Sequence, residues 1–291
     1  MKKMHAGFLL LCLATGAVFR APITAILSLS LHDEHYTHIL LIPFIVVALL
    51  WLDRRRIIAR AQRSAAAGAS VILVGYLILE TTRSRPLSVD NLWLCGLALV
   101  LTIYGSLLAC YGMRSFRAAG FPLLFLLWII PVPPFILDKA VWKLRAGSTE
   151  LSYLLFRVSG VPVLRHGFTL SLPGIDIDVA PQCSGIRSGI SFFIAGLLMA
   201  HLILRSTWRQ LCFVACILPI VILKNAVRIV SISSLGLYVN RDFLSGTLHR
   251  YGGLPFSLVG LAFLLPLAWL LWRSEAYPVG TATRPAVLKK Y

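Results

Sequence analysis

Charge is scarce in this chain: only 13% of its 291 residues are Asp, Glu, Lys or Arg, against roughly 25% in soluble domains. Acidic residues are scarcer still, 11 against 28 Lys and Arg. The basic residues sit in short clusters between apolar runs, not in the single patch a nucleic-acid surface needs, so no nucleic-acid partner is expected. The six cysteines include no CxxC pair and no Cys/His zinc spacing, which excludes a disulfide framework and a zinc centre. Cys12, Cys95, Cys110, Cys212 and Cys216 lie in long apolar stretches, where a free thiol behaves as a small hydrophobe. Internal repeats and low-complexity segments are also lacking, which removes a feature common in transporters. No cofactor is implied.

What the chain does have is apolar length. Hydrophobic residues make up 58% of it and its mean hydropathy is +0.83, values of an integral membrane protein. At about 20 apolar residues per helical span, the expectation is an all-α polytopic bundle of about eight transmembrane helices, with no room for a fused soluble domain. Spans are expected near Phe8 to Leu29, Ile39 to Leu52, Ala69 to Thr82, Leu92 to Tyr111, Phe121 to Leu137, Ile190 to Leu204, Leu211 to Leu235 and Leu254 to Trp272. The second and third runs are the shortest. Residues 1–273 read as one transmembrane domain and 274–291 as a flexible cytoplasmic tail. The apolar run after Lys2 and Lys3 reads as a first span, since seven more follow it.

With a cytoplasmic N-terminus, the inner connections hold 15 basic residues against two acidic, leaving 13 basic and nine acidic elsewhere. The positive-inside rule therefore places both termini in the cytoplasm, with four extracytoplasmic connections. The outer connection from Asp138 to Gly189 is much the longest, and long ordered loops are usually functional. Within it, Glu150 to Val158 is an amphipathic run that suits a membrane surface. Val163 to Val179 alternates around Pro173-Gly174 and reads as a small hairpin leading to Cys183.

Three uncommon groups then fall on the outer side. Cys183, in Ala-Pro-Gln-Cys-Ser-Gly-Ile-Arg-Ser, precedes the sixth span, at a helix start that favours an anion. Arg228, in Lys-Asn-Ala-Val-Arg-Ile-Val, lies 17 residues past Leu211 in the seventh apolar run, and a cation there costs roughly 2.5 to 3.5 kcal/mol on insertion scales. His249 stands ahead of the eighth span. A thiol, an imidazole and a guanidinium together suit acyl transfer through a thioester: nucleophile, proton carrier and oxyanion stabiliser. Arg187, one turn beyond Cys183, competes with Arg228 for the cationic role. The cluster of His32, His35 and His38 with Asp33 and Glu34 has the residue types of a metal site; no metal is expected there, and His38 suits the mouth of the active site better. A transporter using Arg228, Arg187 and Glu80 as an anion path, or a non-catalytic factor in exopolysaccharide assembly or export, are the rival classes.

Cys-Ser-Gly-Ile-Arg at Cys183, Asn-x-x-Arg from Asn225 to Arg228, and His249 resemble, in order and spacing, the exosortase/archaeosortase family of membrane cysteine proteases or transpeptidases. Glu34 to His38 looks like that family's Tyr-x-His, Trp51 with Arg54 to Arg56 like its following basic stop, and Pro131-Val-Pro133 like its Pro-x-Pro. Pro181 and Gln182 depart from the commoner residues before the Cys, which bears on the subtype and the signal it reads. The resemblance implies that Cys183 is the nucleophile, His249 the acid/base and Arg228 the transition-state stabiliser, with Arg187, Asn225 and His38 in support. It also implies partners: membrane-anchored proteins carrying a C-terminal sorting signal of the PEP-CTERM kind, the lipid bilayer, and an amine acceptor if the thioester is not hydrolysed.

Overall fold

The structure is a computed structural model that describes residues 2–244 and 253–276. They fall into two compact units, Met1–Lys139 and Ala140–Tyr291. The first is helical throughout: α1 (Lys2–Val18), α2 (Arg20–His32), α3 (Ile42–Leu52), α4 (Arg54–Ile58), α5 (Ala65–Arg83), α6 (Val89–Ala118), α7 (Gly120–Leu126) and the start of α8 (Pro134–Val158). The tightest pairing is α5 with α6. A Cβ added at Gly68 would lie 2.4 Å from the Cβ of Ala109, and one at Gly105 would lie 2.7 Å from Ile72. Lipid gives helices little hydrophobic reason to associate, so small residues that let backbones approach closely do that work.

Five described helices are long and apolar enough to cross a membrane, or seven if each of two bent helix pairs counts as one. The eight expected spans differ from this for identifiable reasons. The first run is two helices meeting at 75° around Phe19. The fifth is broken at the Pro131-Val132-Pro133 segment, where proline withholds backbone donors and biases the residue before it away from helix. The second forms only the 11-residue α3 behind a 3-10 turn at Thr37–Leu40, roughly 16 Å of helix against a hydrocarbon core of about 30 Å.

The second unit contains the rest of α8, then β1 (Leu164–His166), β2 (Thr169–Leu172), β3 (Ile175–Asp178), α9 (Ile186–Ile203), α10 (Thr207–Tyr238) and α11 (Gly253–Ala276). The expected surface run Glu150 to Val158 is not separate; it is the last part of the 25-residue α8. The alternating stretch forms three antiparallel strands in the order β1-β2-β3, one more than a hairpin. Pro173-Gly174 turns between Leu172 and Ile175, with Gly174 at φ 79°. One face of the sheet is apolar: Leu170, Leu172 and Val179 bury against Phe156 of α8 and Ile229 of α10. Between α9 and α10, a Cβ at Gly196 would meet Ile217 at 2.4 Å. The Glu275 carboxylate at the end of α11 accepts from the backbone N–H groups of Arg205 and Ser206 (2.8 Å for Ser206), just ahead of α10. Leu258, Phe263, Leu265 and Trp269 of α11 are exposed, a large apolar surface of the kind that marks contact with a membrane or a partner.

Candidate functional site

Cys183 lies in a single 3-10 turn, Pro181–Ser184, that joins the sheet to α9. Its N–H donates to the carbonyl of Ala180 at 2.8 Å, and Pro181 suits the first position of such a turn because its missing N–H is one no carbonyl would accept. The chain then enters α9 through Gly185 at φ 78°, a left-handed conformation natural to glycine. A second constraint acts on the same residue, since a Cβ there would sit 3.0 Å from Cγ of Asn225. The glycine of Cys-Ser-Gly is thus required by backbone angle and by space together.

Asn225 holds that turn from below. It is 1% exposed, and its Nδ2 donates to the Cys183 carbonyl at 2.8 Å and to the Ser148 hydroxyl of α8 at 3.0 Å. Three residues on, and so on the same face of α10, Arg228 lines a cavity of about 200 Å³. Cys183 lines it too, with residues 176–179 of β3 and its continuation, and Ile229, Ile232 and Ser233 of α10. The Asn-x-x-Arg spacing has a physical reading: one helix turn fixes the thiol-bearing loop with its first residue and presents a guanidinium to the same cavity with its last. Arg187 is exposed on the first turn of α9 and is not among the residues lining this cavity. His249 lies outside the described residues.

His38 belongs to the other unit, in the 3-10 turn Thr37–Leu40. It is buried, its ring meets that of Trp128 edge-on at 6.3 Å, and burial lowers its imidazole below the usual histidine range. Its Nε2 has no hydrogen-bond partner among the described residues. Two residues earlier, Tyr36 donates its hydroxyl proton to the carbonyl of Val132 at 3.0 Å, so the Tyr-x-His and Pro-x-Pro stretches meet within this unit. The Arg54 guanidinium lies 4.2 Å over the ring of Trp51. Of the other histidines in the cluster, His35 pairs with Asp33 at 2.8 Å and His32 bonds to the carbonyl of Ser28.

The chain matches the family model described as transmembrane exosortase (Exosortase_EpsH) over residues 28–274. It belongs to the transmembrane exosortase family. No curated protein and no solved structure matches it. The matched range takes in all the residues just placed, and His249 as well.

Several residues around the cavity of this family member were not singled out by sequence reasoning. Asp176 and Asp178 line it, and Arg145 of α8 anchors the end of β3 by donating to the Val179 carbonyl, pairing with Asp178 at 3.2 Å and covering the Phe168 ring at 3.9 Å. No local pattern marks them, because α8 and β3 meet only in the fold. Lys224 did leave a signal, as a cation inside an apolar run. It is 3% exposed, donates to the Ser188 hydroxyl of α9 and lies 5.2 Å from the Phe192 ring. Removing one partner of a buried bond costs about 1 to 3 kcal/mol, whereas replacing both with apolar groups is nearly neutral. Ser188→Ala is therefore expected to lower the thermal midpoint of the detergent-solubilised protein more than the double variant Ser188→Ala with Lys224→Met. A double variant less stable than Ser188→Ala would show that the lysine charge has another role.

Proposed function

We propose that this protein is a membrane-embedded cysteine peptidase or transpeptidase that cleaves the C-terminal sorting signal of membrane-anchored secreted proteins on the outer face of a bacterial inner membrane. The observation that carries the reading is the shared cavity: Cys183 and Arg228 line one small space, with the Cys183 carbonyl held by Asn225 one turn before Arg228. The Cys183 thiolate attacks the carbonyl carbon of the scissile peptide, forming a C–S bond, while the oxyanion gathers charge opposite the Arg228 guanidinium. Collapse breaks the C–N bond, and His249, carrying the proton it took from the Cys183 thiol, delivers it to the leaving amine. Water, or an amine acceptor, then takes the acyl group from sulfur and regenerates the thiol. Both termini are cytoplasmic in this reading.

The test is co-expression with reporters that carry candidate C-terminal sorting signals from the same genome, read as reporter size on a gel. Wild-type enzyme is expected to shorten at least one reporter. Arg228→Ala and His249→Ala, each confirmed in the membrane, are expected to slow that processing by roughly 10²- to 10³-fold, the range for losing an oxyanion donor or a general acid. Variants that process at the wild-type rate would remove those roles, and a full panel of uncut reporters would count against the sorting function.

A further inference from the structure

The cavity beside Cys183 has an unusual wall: residues 176, 177, 178 and 179 line it consecutively. A sheet face presents every second residue, so four in a row are presented along an edge. β3 is an edge strand in the order β1-β2-β3, and its register fixes which backbone groups point outward. Leu172 pairs with Ile175 and Leu170 with Ile177, and the Val179 N–H donates to the Phe168 carbonyl at 3.1 Å. In an antiparallel ladder bonded residues alternate, so Ile175 and Ile177 turn their N–H and C=O toward β2, as Val179 turns its N–H. Asp176 and Asp178 turn theirs the other way. The Asp178 carbonyl accepts from the Ala180 N–H at 3.0 Å. That leaves the N–H and C=O of Asp176 and the N–H of Asp178 along the open edge, where no backbone bond among the described residues closes it.

We propose that the substrate segment containing the scissile bond docks as an extended strand on this edge of β3, pairing its main chain with Asp176 and Asp178. Strand addition takes affinity from main-chain bonds and needs no particular side chain at the bonded positions. It also brings a peptide carbonyl into the cavity that Cys183 and Arg228 share, since the chain runs from β3 to Cys183 within five residues. Arg145 keeps the edge in place through the Val179 carbonyl and the Asp178 carboxylate, groups that lie beside the exposed donors without occupying them. The inference rests on the cysteine-enzyme reading and adds to it the conformation in which the substrate is read.

The experiment uses the full-length enzyme and a reporter that it cuts in a Cys183-dependent manner. Alanine and proline are placed in turn at each position of the reporter segment preceding its transmembrane helix. Proline lacks the N–H a strand must donate, so the expected result is a two-residue period, with proline blocking cleavage at alternate positions where alanine does not. On the enzyme side, Asp176→Pro, a substitution edge strands accommodate, is expected to fall about tenfold below Asp176→Ala in processing rate, the effect of one lost bond of roughly 1.4 kcal/mol. A scan without the period overturns the docking, as does Asp176→Pro matching Asp176→Ala. If Asp176→Pro is missing from the membrane, the reporter scan on wild-type enzyme decides alone. Cleavage that persists in Cys183→Ala sinks the cysteine reading instead, so the two failures are told apart.

Discussion

Serine in place of Cys183 is expected to leave the reporter essentially uncut, at a rate reduced by roughly 10³-fold or more, and no better than alanine at the same position. The two replacements separate shape from chemistry. Serine nearly reproduces the thiol's volume and leaves what holds the turn untouched: the N–H to Ala180, the carbonyl to Asn225, and Gly185 in its left-handed conformation. The backbone at position 183 should be unchanged, and the protein should reach the membrane in wild-type amount. What is lost is the nucleophile. Even with His249 to take its proton, a hydroxyl ionises far less readily than a thiol, whereas a cysteine is nucleophilic enough to act with a modest thiolate fraction. A serine enzyme retaining a tenth of wild-type cleavage would mean that sulfur is not the attacking atom, and the shared cavity would then need another explanation.

The legibility of this site was uneven, in a way that follows from where each constraint acts. Cys183, Asn225 and Arg228 stood out because polar residues inside or beside an apolar run are costly and therefore conspicuous. The Asn-x-x-Arg spacing could be assigned to one helix face from the periodicity alone. Which arginine shares the thiol's cavity could not, because Arg187 is nearer in sequence and only the folded chain shows Arg228, and not Arg187, in the cavity lining. Asp176 and Asp178 were invisible for a related reason: in a strand, alternation shows which face is apolar but not which edge is left open. Span limits suffered from the same locality. Hydropathy marks Ile39 to Leu52 and the run beginning at Phe8 as apolar, yet apolarity does not give the length of unbroken helix, which is set by the 3-10 turn at Thr37–Leu40 and by the 75° bend at Phe19.

Asn225 carries the second large expected effect, as a positioning residue acting through the backbone of Cys183. Leucine shares asparagine's branching at Cγ, with bulkier methyls in place of the amide, and keeps α10 apolar, but it donates nothing, so the Cys183 carbonyl and the buried Ser148 hydroxyl both lose the amide that holds them. Each polar group left without its partner costs about 1 to 3 kcal/mol, and the turn relaxes toward whatever else satisfies it. A nucleophile displaced by about 1 Å loses roughly 100-fold in rate, and Asn225→Leu is expected to show at least that loss in reporter processing while the protein remains in the membrane. Ser148→Ala removes only one of the two acceptors and leaves the bond to Cys183, so its expected loss is smaller, less than about tenfold. The informative comparison is the double variant. If Asn225 acts by tying α8, the cysteine turn and α10 together, Ser148→Ala adds nothing once Asn225 is leucine, and the two losses are strongly non-additive. Additive losses, or an Asn225→Leu enzyme within a few-fold of wild type, would show that the turn holds its shape without the amide. The catalytic alignment would then depend on Gly185 and the sheet alone.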